Sequence, residues 1–376
     1  MSYWPAIIVG ATLLVAYANG ANDNFKGVAT LFGSGATDYR KALGWATLTT
    51  LAGSVTAFFF ATGLISTFQG RGLVPVILMG SRPFLAAVIL GAASTVLLAT
   101  KLGIPISTTH SLTGAFLGSG LVAAGFQLGF QTLLTSFFLP LLVSPLLSIM
   151  CALLAYPLLV RALSSAGLTK ESCVCIGSET APTAATPEGV IMAQAVPGLR
   201  VLIDSETACA RQLSGAVLGI TGRKLLDYGH FLSAGTVSFA RGLNDTPKIV
   251  ALALVAGEID LAWSVGLVAI VMALGGLINA KNVAETVSKR ITGMEPDHGF
   301  LANLITSFLV IFASKWGLPV STTHVSCGAL FGIGMANGQA RWSVIRTIVL
   351  AWVLTLPLAA FLAAGFFVCC EMLMPA

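Results

Sequence analysis

The stretch KLGIPISTTH at residues 101–110 returns as KWGLPVSTTH at residues 315–324. Between residues 101–120 and 315–334, 11 of 20 positions are identical. Low complexity does not produce a match of such varied residue types. A second pair accompanies it: GANDNFK at 20–26 returns as GLNDTPK at 242–248. The two pairs are offset by 214 and 222 residues, so their internal spacing is nearly preserved. In an apolar chain, such a duplication is the signature of a carrier built from two repeats around a shared midplane site. Identity alone does not say whether the repeats run parallel or inverted.

The composition names the solvent. Of 376 residues, 56% are hydrophobic and 9% are charged, against about 25% charged in a soluble domain. Asp, Glu, Lys and Arg are absent from 1–22, 42–70, 83–100, 102–160, 261–280, 299–314, 316–340 and 347–370. A spanning helix needs about 20 apolar residues, which gives about ten spans or half-spans here. The run 102–160 is too long for one span and must fold back. The expected class is therefore an all-α integral membrane protein, multi-pass, in a prokaryotic-type inner or plasma membrane. The lipid bilayer is its first partner. A net charge of +5 is ordinary for basic loops and gives no reason to expect nucleic acid. Residues 1–22 lack a basic n-region and read as a functional segment, not a cleavable signal.

Residues 161–228 interrupt this pattern with 12 of the 35 charged residues, six basic and six acidic. Turn compositions at 164–167, 181–183 and 186–189 predict a long ordered loop or small aqueous domain. Within it, 198–204 reads as a short strand and 206–225 as one or two helices. The expected organisation is thus a membrane repeat at 1–160, the polar insert at 161–228 and a second repeat at 229–376. Cys151, Cys327, Cys369 and Cys370 lie in apolar segments and read as core-like thiols. Cys173, Cys175 and Cys209 do not complete a metal-ligand set, and no disulfide framework, metal or cofactor is expected.

Each Pro-x-Ser-Thr-Thr-His motif predicts a break followed by a new helix. Pro105 and Pro319 disfavour helix at the preceding residue, and Ser or Thr then caps an apolar helical run. A helix start inside the membrane offers unpaired N–H groups and partial positive charge, a site for an anion. Ser107, Thr108 and Thr109, with Ser321, Thr322 and Thr323, would enlarge it with hydroxyls. The plainer reading is that these hydroxyls bond back to their own helix. Two interruptions at matched positions favour a binding site. Gly114, Gly118 and Gly120, with Gly328, Gly332 and Gly334, would permit close helix contact behind the break. His110 and His324 fit proton carriage or simple packing of the hairpin, and the helix N-terminus favours packing.

Asp23 follows 22 uncharged residues, and Asp245 holds the corresponding place. Intramembrane carboxylates are costly and are kept for ions, protons or substrate. Asn22 and Asn244 add amides suited to phosphate or to a cation. Lys26 and Lys248 stand at i+3 from the two Asp residues, so a structural ion pair is the competing reading. Glu285, near Lys281 at the end of a span, reads as solvated. Arg241 stands where the first repeat has Asn19, suited to contact an anion or to snorkel to the interface.

At these paired motifs the chain resembles the inorganic phosphate transporter (PiT) family, and the 281–292 stretch looks like that family too. The resemblance covers the membrane part. It implies an inverted-repeat fold of about 10–12 membrane elements with re-entrant helical hairpins. It also implies alternating-access symport of inorganic phosphate held between the Ser-Thr-Thr tips, with the Asn-Asp pairs beside it. One position departs: the family's usual Asn-Asp-x-x-Asn becomes a lysine at Lys26 and Lys248. An ammonium has no acceptor to ligate sodium, so the expectation is proton coupling through Asp23, Asp245, Lys26 and Lys248. Sodium coupling and carriage of another oxyanion such as sulfate are the alternatives, and a homo-oligomer stays open. An enzyme is disfavoured, because the near-symmetric duplication supplies no single nucleophile or metal.

Overall fold

A computed structural model describes residues 3–165, 172–182, 193–205, 213–257, 259–290 and 295–373. The chain forms two compact units, one from Met1–Leu154 with Phe231–Ala376 and one from Ala155–His230.

In the first unit, α1 (Trp4–Asp23) runs through a 3-10 turn (Asn24–Val28) into α2 (Ala29–Gly33). Helix α3 (Tyr39–Phe60) follows, its N-terminus capped by Asp38 accepting from Lys41 N. After the short α4 (Thr62–Phe68) and α5 (Val76–Met79) comes the first hairpin, α6 (Arg82–Lys101) and α7 (Thr108–Ala124). Then α8 (Phe130–Thr132) passes through a π-helical Leu133–Phe138 into α9 (Leu139–Ser165). The second half holds α10 (Gly222–Val255), α11 (Leu261–Asn279) and α12 (Lys281–Arg290). The second hairpin is α13 (Pro296–Lys315) with α14 (Thr322–Ala336), and α15 (Trp342–Leu373) ends the described chain. Among the described residues, seven helical segments are long and apolar enough to cross a bilayer, and the chain is a multi-pass integral membrane protein. At about 1.5 Å per residue, α7 reaches about 25 Å and α14 about 22 Å, short of a hydrocarbon core of about 30 Å. They are the re-entrant arms.

The turn at each hairpin tip follows from its residues. Gly103 and Gly317 adopt positive φ at the end of α6 and α13. Ile104 N then bonds Ala99 O and Leu318 N bonds Ala313 O, each at 2.9 Å. The chain leaves the helix, passes the proline, and restarts where Ser107 and Ser321 take extended backbone and accept from His110 N and His324 N. The break and restart expected from Pro-x-Ser are therefore present at both copies.

The repeats are interlocked crosswise. The first hairpin rests on the last helix of the second half: Ser119 donates to Ala363 O, and a Cβ at Gly118 would stand 1.9 Å from Ala360 O. The second hairpin rests on the last helix of the first half: Ser148 donates to Val325 O, and a Cβ at Gly332 would stand 2.6 Å from Ile149 O. The Asn-Asp helices cross in the same way. Gly20 of α1 meets Met272 O on α11, and Gly242 of α10 meets Thr50 O on α3. Small residues let these backbones touch where lipid supplies no hydrophobic drive between helices.

In the second unit, β1 (Ser172–Pro182) is the centre of an antiparallel sheet of order β2–β1–β3, with β2 (Ala193–Ser205) and β3 (Leu213–Thr221) at its edges. The strand read at 198–204 lies within β2. The helices read over 206–225 do not form at 213–221, which is β3; there Val217, Leu218 and Ile220 favour a pleated surface. The insert therefore departs from an all-α class. Cys175 is disulfide-bonded, which corrects the expectation that the cysteines form no disulfide; Cys209 lies outside the described residues. Cys327 is a buried free thiol as expected, whereas Cys369 is exposed.

Gly242→Val is expected to lower the thermal midpoint of the detergent-solubilised protein, since overpacking costs about 1–3 kcal/mol and the opposing atom is backbone. Gly44→Ala, where an added methyl meets nothing within 4 Å, is expected to leave it unchanged or raise it. Size-exclusion melts of both variants check the contrast.

Candidate functional site

The two hairpin tips and the two Asn-Asp segments meet in one buried cluster. Asn22, Asp23, Lys26, Asn244, Asp245, Lys248 and all six Ser-Thr-Thr residues are buried. The Asn-Asp, lysine and Ser-Thr-Thr residues of the paired motifs thus converge, and each half contributes a matching set.

Within a half, the asparagine straps its own hairpin. Asn22 Nδ2 donates to Thr100 Oγ1 at 3.0 Å and to Ile104 O at 3.1 Å, and its Oδ1 accepts from Ile106 N. Asn244 Nδ2 donates to Val320 O at 3.3 Å, and its Oδ1 accepts from Ser314 Oγ at 3.2 Å. Thr100 and Ser314 occupy equivalent places in the repeat. Both amides are therefore spent on holding the non-helical backbone of the tips, where a buried unpaired group would be costly.

Between halves, the lysines cross. Lys26 pairs with Asp23 and donates to Asn22 Oδ1, to Ile106 O at 2.7 Å and to Thr323 Oγ1 of the other repeat at 3.0 Å. Lys248 pairs with Asp245 at 3.2 Å and donates to Val320 O at 2.9 Å and to Thr109 Oγ1 of the other repeat at 2.7 Å. The threonines return the exchange: Thr109 Oγ1 donates to Val320 O, and Thr323 Oγ1 donates to Ile106 O. The structural ion pair read at i,i+3 is thus present in both repeats, and each ammonium also binds the opposite tip.

The first threonine of each motif meets a residue one turn before the aspartate. Asn19 Nδ2 donates to Thr108 Oγ1 at 2.9 Å and lies 3.2 Å from Asp23 Oδ2. Arg241 Nη1 donates to Thr322 Oγ1 at 3.0 Å. Arg241 is buried and does not snorkel. Asn19 was not among the residues the motifs named, though its i,i+4 spacing to Asp23, matched by Arg241 to Asp245, is a signal a helical reading contains. Asn24 is another: it binds Thr47 Oγ1 at 2.8 Å and accepts from Thr50 on α3.

Ser107 and Ser321 cap their own helices, and each hydroxyl proton remains free to donate elsewhere. His110 and His324 lie behind the tips with ring centroids 4.4 Å apart, and His324 stacks on Trp352 at 3.7 Å. That is the packing arrangement. Glu285 is exposed, away from the cluster. Among the described residues no group of three or more His, Cys, Asp or Glu side chains could hold a metal ion. Two small cavities flank Arg241, one toward Lys26, Thr30 and Thr323 and one between Asp23 and Asp245. Each has room for about one water molecule, so the tips are closed on each other. The arrangement offers an anion hydroxyl, ammonium and guanidinium donors, with two carboxylates within reach to accept protons.

The chain is similar to known proteins along most of its length. A family model described as "Phosphate transporter family" matches residues 19–363. Inorganic phosphate transporter 2-1, chloroplastic, of Arabidopsis thaliana is 31% identical over 94% of this chain and 70% of its own. A putative phosphate permease of Thermococcus kodakarensis is 28% identical over 98% of both chains. A solved structure titled "The sodium-dependent phosphate transporter" shares the fold, with a TM-score of 0.76 at 21% identity over 99% of this chain and 100% of that one.

Lys248→Met would leave Asp245 buried without its ammonium and is expected to cost about 3–5 kcal/mol of stability. Adding Asp245→Leu should recover most of that loss. Thermal unfolding of the single and double variants in detergent measures the difference.

Proposed function

The chain belongs to the phosphate transporter family, and from that premise we propose that it carries inorganic phosphate by proton-coupled symport, with the anion held between the two Ser-Thr-Thr tips. The observation that carries this reading is the reciprocal contact of the tips: Lys26 reaches Thr323 and Lys248 reaches Thr109. Phosphate entering between the tips replaces these contacts with bonds from the same ammonium groups and from the hydroxyls of Thr108, Thr109, Thr322 and Thr323. Charge-assisted bonds of this type are the stronger ones. Asn22 and Asn244 act by holding the tips in register. Asp23 and Asp245 supply acceptors, which suit a protonated phosphate and have no partner in sulfate at neutral pH.

The occupants of the cluster support proton coupling. At the position where a sodium cage would gain an amide oxygen, each repeat places an ammonium hydrogen-bonded to the adjacent carboxylate. Opening one tip separates one ammonium from the opposite threonine and the other ammonium from a backbone carbonyl. The Asp–Lys pair then faces water and exchanges a proton; closing returns it to a dry site. In alternating access the two tips take turns, so one proton-loaded pair accompanies each anion.

The test is purified protein in ion-tight liposomes. An imposed inward proton gradient should drive phosphate accumulation without sodium, and Asp23→Asn and Asp245→Asn should each abolish accumulation. Uptake that demands sodium and ignores the pH gradient would overturn the coupling and leave phosphate carriage standing. Thr108→Val and Thr322→Val should each weaken phosphate binding by about 1.5–3 kcal/mol, or about 10- to 100-fold in Kd. Unchanged affinity in both would remove the tips as the binding site.

A further inference from the structure

The matched residues at the heart of the cluster differ between the repeats by a charge. Asp23 faces Asp245, Lys26 matches Lys248, and Thr108 matches Thr322, but Asn19 is matched by Arg241. Counted formally, the buried groups Asp23, Asp245, Lys26, Lys248 and Arg241 sum to two negative and three positive charges, an excess of one positive. Both carboxylates already have a lysine partner. Arg241 has none within ion-pair distance among the described residues. Of its guanidinium, Nη1 is engaged with Thr322 Oγ1, while Nε and Nη2 are buried with no hydrogen-bond partner. A buried arginine that leaves two of three nitrogens unpaired carries a desolvation cost that the resting contacts do not return. Such a group is retained where a ligand completes it. Arg241 also lines both cavities, the one beside Lys26 and Thr323 and the one between the carboxylates. A guanidinium presents its Nε and Nη2 protons as a planar fork that matches two oxygens of a tetrahedral oxyanion.

We propose that Arg241 is a substrate-binding residue, its Nε and Nη2 forming a bidentate clamp on the bound oxyanion, so that the second repeat supplies the charged ligand and the first, through Asn19, a neutral one. This rests on the phosphate reading above and adds an asymmetry to it. The anion is held off the pseudo-axis, closer to the tip of α14, and its charge offsets the excess positive charge of the cluster. Asn19, with Oδ1 unpartnered and buried, accepts from a protonated oxygen on the opposite side. A symmetric pair of asparagines would hold the anion without offsetting charge, and a symmetric pair of arginines would leave two charges in excess.

The experiment measures inorganic phosphate binding by the detergent-solubilised full chain, by calorimetry and by the phosphate-induced rise in melting temperature. Wild type sets the baseline: no phosphate response there overturns the functional reading itself. With that response in hand, Arg241→Asn, which copies Asn19, is expected to raise Kd by about 10- to 100-fold, the loss of a charge-assisted pair of bonds. Arg241→Lys keeps the charge but not the fork and is expected to recover only part of the affinity. Full wild-type affinity in Arg241→Asn or in Arg241→Lys overturns the clamp while leaving phosphate carriage intact. Should Arg241→Asn fail to fold, wild-type protein treated with an arginine-directed dicarbonyl decides: phosphate, and not chloride, should protect the Arg241 peptide from modification. Equal labelling with and without saturating phosphate overturns the proposal.

Discussion

Two buried ammonium groups, each bonded to a threonine of the opposite repeat, set the terms for the rest of the membrane unit. A lysine in lipid is tolerated only with its protons placed. Lys26 finds four acceptors and Lys248 three, and in each case one is a hydroxyl on the other tip and one a carbonyl of its own tip. Those carbonyls are free to accept because the chain at 102–107 and 316–321 is not helical. The non-helical backbone in turn is tolerable at membrane depth because it is buried in protein and strapped by Asn22 and Asn244. Removing the proline break would close the carbonyls into a helix, and the ammonium groups would lose their place.

The same cluster explains why the helices come so close. For Lys26 and Lys248 to reach across, α1 and α10 must sit against the partner half's α11 and α3 at backbone contact, which Gly20 and Gly242 allow. Polar bonds and close packing, not apolar burial, hold such interfaces in a bilayer. The long apolar faces of α9 and α15 are free to meet lipid, as their exposed Leu146, Leu154, Leu350 and Phe361 do.

Much of this was written in the residues. Pro105 and Pro319 followed by serine located the helix restarts to the residue, and the i+3 spacing of Lys26 from Asp23 and of Lys248 from Asp245 gave both ion pairs. Local spacing carries such information because a helix fixes which side chains are neighbours. What spacing does not carry is the contact between halves. Lys26 meets Thr323 across 297 residues and Lys248 meets Thr109 across 139, and a repeated motif says only that two like objects exist, not that each completes the other. The straps by Asn22 and Asn244 were hidden likewise, since an amide beside an aspartate suits a ligand and a backbone carbonyl equally well. In the insert, 213–221 became a strand where helix was expected; a nine-residue apolar run is too short for periodicity to separate the two.

The crosswise seating of the hairpins has a mechanical side. The arm carrying Thr108 is floored by α15, and the arm carrying Thr322 is floored by α9, so neither half owns the support of its own gate. A displacement of one half withdraws the floor beneath the opposite arm while leaving its own arm on a stationary floor. In the proposed transport cycle, motions of the two arms would thereby be geared to each other by steric contact at Gly118 and Gly332. A pore open at both ends would require both floors to move at once, against both sets of backbone contacts. In the proposed transport cycle, the seal against leakage of ions would therefore reside in the braiding of the chain.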